Sequence, residues 1–547
     1  MKQENFTLSG NIVDVLNRRI FKGTVHVTNG VITQIEESEN DSDQYILPGF
    51  VDSHIHVESS MLIPSEFARL ACVHGTVATV SDPHEIANVL GVDGVRFMIQ
   101  NGKKVPFKFF FGAPSCVHAT PYESSGALFE EAETEEMLAM PDVHYLAEMM
   151  NFPAVLQDDP GVLARLALAK KYNKPVDGHA PGLTGKDAAK YAAAGISTDH
   201  ECFTMQEAMD KIANGMKIQI REGSAAKNFD DLAELLNTHP DHVMLCSDDR
   251  HPNDLMRGHM NDVAARAVSQ GYDAMNVIRA LTFIPVMHYG LPVGLLQQGE
   301  PADIAVVNNL SEFKVSATYI NGFKVSENGK SLIERVEEES PNIFRANKIT
   351  KDDIALPAES NIIRVIGAID GQLITKNETR AARIENGFVV SDTESDVLKM
   401  IVINRYKEAK PAIAFISGFG FKHGAIASTV AHDSHNLVCV GATDEDMVRA
   451  VNLLVDSRGG IALINGEEEH VLPLPVAGLM SADDAHHVAM LYESIGAKTK
   501  ELGSQMHAPF MTLSFMTLLV IPELKLSDQG LFDGNSFRFT SNFSDQP

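Results

Sequence analysis

Eight short apolar runs alternate with helix-forming stretches between residues 50 and 284, and this alternation constrains the fold more than any other feature. Strands that alternate with helices favour a parallel sheet. Eight such units over this length predict a (β/α)8 barrel, whose functional side chains lie at the carboxyl ends of the strands. The runs are residues 50–57, 77–80, 107–111, 143–146, 175–176, 195–197, 216–220 and 243–246.

The remainder of the chain adds two further units. Residues 1–49 and 285–345 contain short alternating runs separated by the turns Asn29-Gly30 and Asn321-Gly322, which are typical of hairpins. We therefore predict an α/β fold, a distorted (β/α)8 TIM barrel at 50–284. A small flanking β domain contains the N-terminal strands (1–49) and the post-barrel strands (285–345), and residues 346–547 form an additional C-terminal α/β domain.

Nearly every predicted barrel strand is followed by a metal ligand or an ionisable side chain. Such regular placement at strand ends indicates a site at one mouth of the barrel. The residues are, in strand order, His54 and His56; Asp82, His84 and Glu85; Ser115; Glu148; His179; His200 and Glu201; Arg221 and Glu222; Asp248 and Asp249.

Six of these side chains predict a metal site. Alternate residues of a strand share a face, so the imidazoles of His54 and His56 point the same way. Histidine nitrogens with carboxylates suit Zn, Fe(II) or Mn(II), and six donors exceed the needs of one tetrahedral ion. We expect one ion at His54, His56 and Asp248, and a second at His179 and His200. Two neighbouring cations need a bridging anion, and Glu148 is the expected one. A carboxylated lysine cannot take that place, since residues 144–151 contain no lysine.

This arrangement predicts hydrolytic chemistry. A water held by two cations loses a proton near neutral pH. Asp248 is placed to accept that proton and to deliver it to a leaving group. Asp249 is an alternative ligand, although Asp248 comes first after the apolar run and is favoured.

The ordered set of a His-x-His pair, two later histidines and a late aspartate resembles the amidohydrolase superfamily. Longer stretches are similar to the bacterial adenine deaminase family within it. These stretches are residues 48–60, 81–88, 113–127, 147–151, 177–182, 198–201, 221–224, 247–249, 472–481 and 521–526.

The resemblance implies the conversion of adenine and water to hypoxanthine and ammonia, with a metal-held hydroxide attacking C6. It also implies a binuclear Mn²⁺ or Fe²⁺ centre, with Zn²⁺ possible, and a homodimer. The nearest rival function is that of another amidohydrolase, which acts on a cyclic amide or on another aminopurine. A second rival is a non-catalytic scaffold that binds metal or purine.

Several side chains near the predicted site have two possible roles. Glu201 and Glu85 are candidates to protonate the ring nitrogen, or each orients a metal ligand. Ser115, Arg221 and Ser224 are candidate substrate-binding residues, although Arg221 could equally pair with a carboxylate. Residues 432–435, with two histidines and an aspartate, suggest a lid, a further ion site or a solvated loop.

Composition limits the partners. Asp and Glu total 73 against 45 Lys and Arg, which gives a net charge of −28. This charge argues against nucleic acid and anionic membrane as partners. The five scattered cysteines suggest a reducing compartment, and the opening residues lack the pattern of a secretory signal. We therefore expect a cytoplasmic protein.

Overall fold

The computed structural model describes residues 5–118, 120–224, 226–370 and 372–544. Eight parallel strands between residues 50 and 246 form a barrel, and we number them barrel strands 1 to 8 in chain order. Strands 1 to 5 form one curved sheet and strands 6 to 8 a second. Their bounds are Phe50–Ile55, Thr76–Ser81, Lys108–Ala113, Val143–Met149, Val176–Gly178, Thr198–Asp199, Lys217–Arg221 and Val243–Cys246.

Backbone hydrogen bonds join the two sheets on both sides. The amide of Asp248, just after strand 8, donates to the carbonyl of His54 in strand 1 at 2.9 Å. The amide of His56 donates in turn to the carbonyl of Asp248 at 3.3 Å. Between strands 5 and 6, the Ser197 amide donates to the Val176 carbonyl at 2.9 Å. The strands therefore close into the predicted barrel.

Helices cover the barrel because its strands are buried on both faces, as in parallel sheets generally. All six residues of Thr76–Ser81 are buried, for example. The α-helices of this region are Pro64–Ala71, His84–Leu90, Val92–Gly102, Glu131–Ala139, Phe152–Leu156, Pro160–Lys171, Gly185–Ala193, Met205–Ala213, Phe229–Leu232, Leu235–Thr238, Pro252–Arg257, Met260–Ser269, Ala274–Leu281 and Phe283–Tyr289.

The sixth strand lies later in the chain than its apolar run predicts. The sequence places it at 195–197, whereas the structure places it at Thr198–Asp199. Gly195 has φ +103° and follows the end of helix Gly185–Ala193, so the run begins in a turn. The strand itself consists of a buried threonine and a buried aspartate, which an apolar pattern does not detect.

The flanking β domain is one eight-stranded sheet. Strand Ile304–Val307 pairs antiparallel with Tyr45–Pro48, so the post-barrel strands join the N-terminal strands as predicted. In spatial order the strands are Lys330–Ser331, Phe323–Glu327, Val315–Ile320, Ile304–Val307, Tyr45–Pro48, Phe6–Asp14, Arg19–Thr28 and Val31–Glu37.

The C-terminal region contains a second eight-stranded sheet with helices Asp444–Ser457, Ala485–Lys498 and Pro509–Phe515. It packs on the barrel, since the Ser481 amide donates to the Met61 carbonyl at 2.8 Å. Within the described ranges, no helix has the length and apolar character needed to cross a membrane. The sheet strands are, in spatial order, Thr375–Ala381, Ile362–Ala368, Ala412–Ser417, Leu398–Ile403, Leu437–Gly441, Ala425–Ser428, Gly460–Asn465 and Glu468–Pro473.

Two smaller sheets and four short 3-10 helices complete the secondary structure of the described residues. One three-stranded sheet contains Leu356–Pro357, Phe388–Val390 and Arg383–Glu385. The other contains Leu524–Ser527, Gly530–Asp533 and Arg538–Phe539. The 3-10 helices are Val57–Ser60, Cys72–His74, Pro240–His242 and Lys351–Ile354.

A buried ion pair fixes the ends of strands 5 and 6. Lys211 and Asp199 are fully buried, and the Lys211 ammonium lies 2.9 Å from the Asp199 carboxylate. The same carboxylate accepts the backbone amides of Ala180 at 3.0 Å and Glu201 at 2.8 Å. Burial would raise the pKa of Asp199, but Lys211 holds it below its usual value. The pair thus positions the residues next to His179 and His200.

Replacing the buried lysine should destabilise the fold. Lys211→Met leaves the Asp199 carboxylate without its counter-charge, which we expect to lower the free energy of unfolding by about 3–5 kcal/mol. The shift of the urea-unfolding midpoint measures this. Lys190→Met removes the exposed pair with Asp158 and should cost about 1 kcal/mol or less. Equal shifts in the two variants would contradict this role of the buried pair.

Candidate metal centre and substrate cavity

A cavity of about 610 Å³ opens at the carboxyl ends of the barrel strands. Its floor is polar and comes from the barrel, whereas much of its cover is apolar and comes from the C-terminal region. The floor residues include His56, His84, Glu85, Glu148, His179, His200, Glu201, Arg221, Asp248 and Asp249. The cover includes Leu373, Ile374, His432, Asp433, Phe515, Leu518, Val520, Ile521 and Pro522.

The Glu148 carboxylate lies between two groups of histidines. One oxygen, Oε1, is 3.3 Å from His56 Nε2. The other, Oε2, is 2.7 Å from His179 Nδ1 and 3.1 Å from His200 Nε2. Oε1 therefore faces a histidine of the first predicted ion site, and Oε2 faces both histidines of the second. A bridging ligand needs this geometry.

Asp248 faces the histidine pair of strand 1. Its Oδ1 lies 3.1 Å from His56 Nε2 and 3.6 Å from His54 Nε2. The Asp248 backbone has φ +52°, a left-handed conformation that aspartate tolerates better than most residues. Asp249 is placed differently, since its carboxylate accepts a hydrogen bond of 2.5 Å from the Ser59 hydroxyl. The geometry favours Asp248 over Asp249 as a ligand.

The donor atoms fit a divalent metal. His54 is fully buried, yet both of its ring nitrogens lack a hydrogen-bond partner among the described residues. His54, His56 and Asp248 form one group of converging donors, and His54, Glu148 and His200 form another. A buried imidazole nitrogen that faces carboxylates without a hydrogen bond is expected where a cation completes the site.

The electrostatics of the cluster agree with this fit. Burial would raise the pKa of Glu148, but His179 and His200 hold it well below its usual range. Burial lowers the pKa of His179, but Glu201 and Glu148 outweigh it and raise the pKa to about 9. Without a metal, a proton on His179 thus offsets part of the carboxylate charge. A divalent ion bound there would replace that proton, since metal ligation requires neutral imidazole.

Arg221 links two acids of the floor. Its guanidinium donates to Asp248 Oδ2 at 2.6 Å and to both carboxylate oxygens of Glu201. Burial would raise the pKa values of Asp248 and Glu201, but Arg221 helps to lower both. Arg221 lines the cavity, but its N–H donors bond Asp248 and Glu201. Pairing with a carboxylate is the role that the sequence analysis gives as the alternative to substrate binding.

Ser115 and Ser224 are not among the residues that line the cavity. The Ser115 hydroxyl donates to the backbone carbonyl of Glu148, so it supports that strand end. The Ser224 hydroxyl donates to Asp254 at 2.6 Å, and its amide donates to the Asp249 carbonyl at 2.8 Å. Both contacts position the floor, and a substrate-binding role for either serine stays a prediction.

His84 lies closer to the candidate metal ligands than the sequence indicates. Its Nδ1 lies 3.5 Å from Glu148 Oε1 and 3.3 Å from Asp82 Oδ2. The four side chains His56, Asp82, His84 and Glu148 converge as a further group of donors. Spacing alone cannot show this, because His84 begins a helix after strand 2 and its direction depends on that turn.

The segment of residues 432–435 reaches the barrel from the C-terminal region. His432 Nδ1 lies 2.7 Å from Glu85 Oε1, and His435 contacts the other Glu85 oxygen. Burial would raise the pKa of Glu85, but His432 and His435 hold it well below its usual range. The segment is buried, so it is not a solvated loop. The sequence analysis did not predict the apolar cover of the cavity. Its residues have the same composition as any buried hydrophobic core, so no sequence signal distinguishes them.

Comparison with known proteins defines the class. The amidohydrolase family model matches residues 45–325, which include the barrel and, wholly or in part, four of the eight strands of the flanking sheet. Together with the converging histidines and carboxylates, this match defines a metal-dependent hydrolase of the amidohydrolase superfamily. Membership of this superfamily implies a divalent metal, and the converging donors could hold one.

The C-terminal region and the full-length relatives identify the family within this superfamily. The model of the adenine deaminase C-terminal domain matches residues 372–538. The adenine deaminase of Methanosarcina mazei is 52% identical over 98% of this chain and 99% of its own. The adenine deaminase of Salinibacter ruber is 53% identical over 99% of both chains. The chain belongs to the adenine deaminase family.

Metal binding should stabilise the chelator-treated protein. Adding Mn²⁺ at 100 times its dissociation constant should raise the free energy of unfolding by about 2.7 kcal/mol, which a thermal-shift assay detects as a higher Tm. Glu148→Gln should lose most of this shift, because Glu148 contacts both histidine groups. Glu207→Gln changes a buried carboxylate that bonds the Gly182 amide, and it should keep the shift. An undiminished shift in Glu148→Gln would exclude Glu148 as a ligand.

Proposed function

We propose that the chain hydrolyses adenine to hypoxanthine and ammonia. The observation that carries the proposal is the Glu148 carboxylate, which faces two groups of histidines at the floor of a largely apolar cavity. An apolar cavity with a few convergent polar groups suits a small planar heterocycle. The curated relatives of this sequence, named adenine deaminases, support the choice of substrate.

We further propose two Mn²⁺ or Fe²⁺ ions, with Zn²⁺ as an alternative. His54, His56 and Asp248 would hold one ion, His179 and His200 the other, and Glu148 would contact both. When bound, such ions lower the pKa of water and stabilise negative charge that develops during hydrolysis. Elemental analysis of the purified chain should then give two ions per polypeptide.

Asp248 is the proposed proton carrier of the reaction. It would accept the proton of the attacking water and pass it to the departing amine. The Arg221 guanidinium and the neighbouring imidazoles of His54 and His56 keep the pKa of Asp248 low despite its burial, so that it begins the cycle ionised. Arg221 also fixes its orientation, because the same guanidinium group is bonded to Glu201.

Glu201 is the proposed proton relay to the ring nitrogen, and Glu85 has a positioning role. Arg221 lowers the pKa of Glu201 despite its burial, so Glu201 would first accept the second proton of the attacking water and then pass it to the nitrogen. Glu201 Oε1 lies 3.7 Å from His200 Nε2, directly beside the metal-ligand group. Both oxygens of Glu85 face imidazoles of the C-terminal region, so its contacts favour anchoring of the 432–435 segment. Glu85 as a proton donor stays the alternative, and the homodimer and the cytoplasmic location stay predictions.

Turnover of adenine tests the proposed function. The Mn²⁺-loaded protein should deplete adenine, as followed by ultraviolet absorbance, with one ammonia released per adenine. Asp248→Asn should lower kcat by about 100- to 10,000-fold, the range expected for loss of a general acid–base group. Asp249→Asn is the matched control, and it should retain most of kcat because Asp249 contacts Ser59 instead of the histidines.

Two results would contradict the proposal. Metal-loaded protein that leaves adenine unchanged but opens dihydroorotate or hydantoin would establish the cyclic-amide alternative. Binding of adenine without any ammonia release would establish a non-catalytic binder. A separate comparison of Glu201→Gln with Glu85→Gln assigns the two acids, since loss of the proton donor lowers kcat and loss of an anchor mainly raises KM.

A further inference from the structure

Asp433 is the one carboxylate lining the cavity, in the described part of the chain, without a hydrogen-bond partner. The other lining carboxylates all have partners: Glu85 and Glu148 contact histidines, Glu201 and Asp248 contact Arg221, and Asp249 accepts a hydrogen bond from the Ser59 hydroxyl. Asp433 is only 4% exposed, and its Oδ2 is buried without a partner. Among the described residues, its one ion-pair contact is with His432 Nδ1, at 3.9 Å from Oδ1.

A buried carboxylate oxygen with no partner is costly to maintain, because burial removes the water that would otherwise bond it. Asp433 nevertheless lines the cavity together with the apolar side chains of the cover. Such a group is explained if a ligand supplies the missing donor. The ligand atom that fits is an N–H group, since an ionised carboxylate only accepts hydrogen bonds.

The surrounding backbone holds Asp433 in place. The carbonyl of His432 accepts a bond of 2.9 Å from the Thr517 hydroxyl, and the carbonyl of Ser434 accepts one of 2.6 Å from the Tyr406 hydroxyl. The His432 ring stacks on Phe515 with centroids 5.2 Å apart. With His432 also bound to Glu85, Asp433 is presented by a fixed segment, as precise recognition requires.

We propose that Asp433 binds the N–H group of the five-membered ring of adenine and thereby selects the free base over N9-substituted purines. This inference rests on the proposed function. The amino-bearing carbon of the six-membered ring must face the histidines and carboxylates of the barrel. The five-membered ring then points toward the wall that the C-terminal region supplies. A substituent at N9 removes the N–H and leaves the carboxylate unpaired, which disfavours binding.

The wild-type protein gives the first test, which requires no variant. Its kcat/KM for adenine should exceed that for 9-methyladenine by about 100-fold or more, since a site built to bond an N–H rejects analogues that lack it. Equal values of kcat/KM for the two purines would overturn the inference.

Variants of Asp433 give the second test. Asp433→Asn keeps the volume and Asp433→Ala removes the side chain. Each should lower kcat/KM for adenine by about 10- to 100-fold, mainly through KM, and should shrink the preference over 9-methyladenine by a similar factor. If the alanine variant does not fold, the asparagine variant and the wild-type comparison still decide the question.

Asp528→Asn is the matched control for these variants. Asp528 is a buried carboxylate of the C-terminal region that bonds the Asn404 side chain at 2.7 Å and the Ser124 amide at 2.9 Å. A structural defect lowers kcat/KM for both purines alike, so this control should keep the wild-type preference. An unchanged preference in both Asp433 variants would overturn the inference while adenine turnover by the wild type upholds the proposed function. Absence of adenine turnover in the wild type would overturn both.

Discussion

The closure of barrel strand 1 against the end of strand 8 is the contact on which the site depends. Two backbone hydrogen bonds, between Asp248 and residues His54 and His56, complete the barrel and place the aspartate beside the histidine pair. The left-handed backbone at Asp248 belongs to the same junction. Because local strain of this kind persists only where the surrounding structure fixes it, the fold and the ligand geometry are established together.

A second constraint is charge compensation in a buried cluster. Glu148, Asp248, Glu201 and Glu85 would all be costly to bury as isolated anions. Each is instead balanced by histidines or by Arg221, and the pKa values of all four are held low despite burial. The site is thus arranged for positive charge in its centre, which divalent metal supplies in this superfamily.

Much of this arrangement could be predicted from the sequence because strand periodicity and barrel topology place strand-end residues at one mouth. His54, His56, Glu148, His179, His200 and Asp248 all follow from that rule. It fails where side-chain direction depends on a turn or on distant chain segments. His84 points back to Glu148 from the start of a helix, and the hydroxyls of Ser115 and Ser224 bond the Glu148 carbonyl and the Asp254 carboxylate.

The cover of the cavity could not be predicted for a related reason. Residues such as Phe515, Leu518 and Ile521 have the composition of any core, and their position over the barrel depends on packing between regions far apart in the chain. The same packing delivers Asp433 and the Glu85-bound histidines to the site. The C-terminal region therefore forms part of the cavity wall, which gives one barrel architecture a means of adapting to a particular substrate.

Anomalous scattering from crystals of the Mn²⁺-loaded protein tests the central claim most directly, because it locates metal independently of activity. The account predicts two peaks at the barrel mouth, one on each side of the Glu148 carboxylate. One would lie within coordination distance of His54, His56 and Asp248, the other of His179 and His200. A single peak away from Glu148, or peaks only outside the barrel mouth, would contradict it.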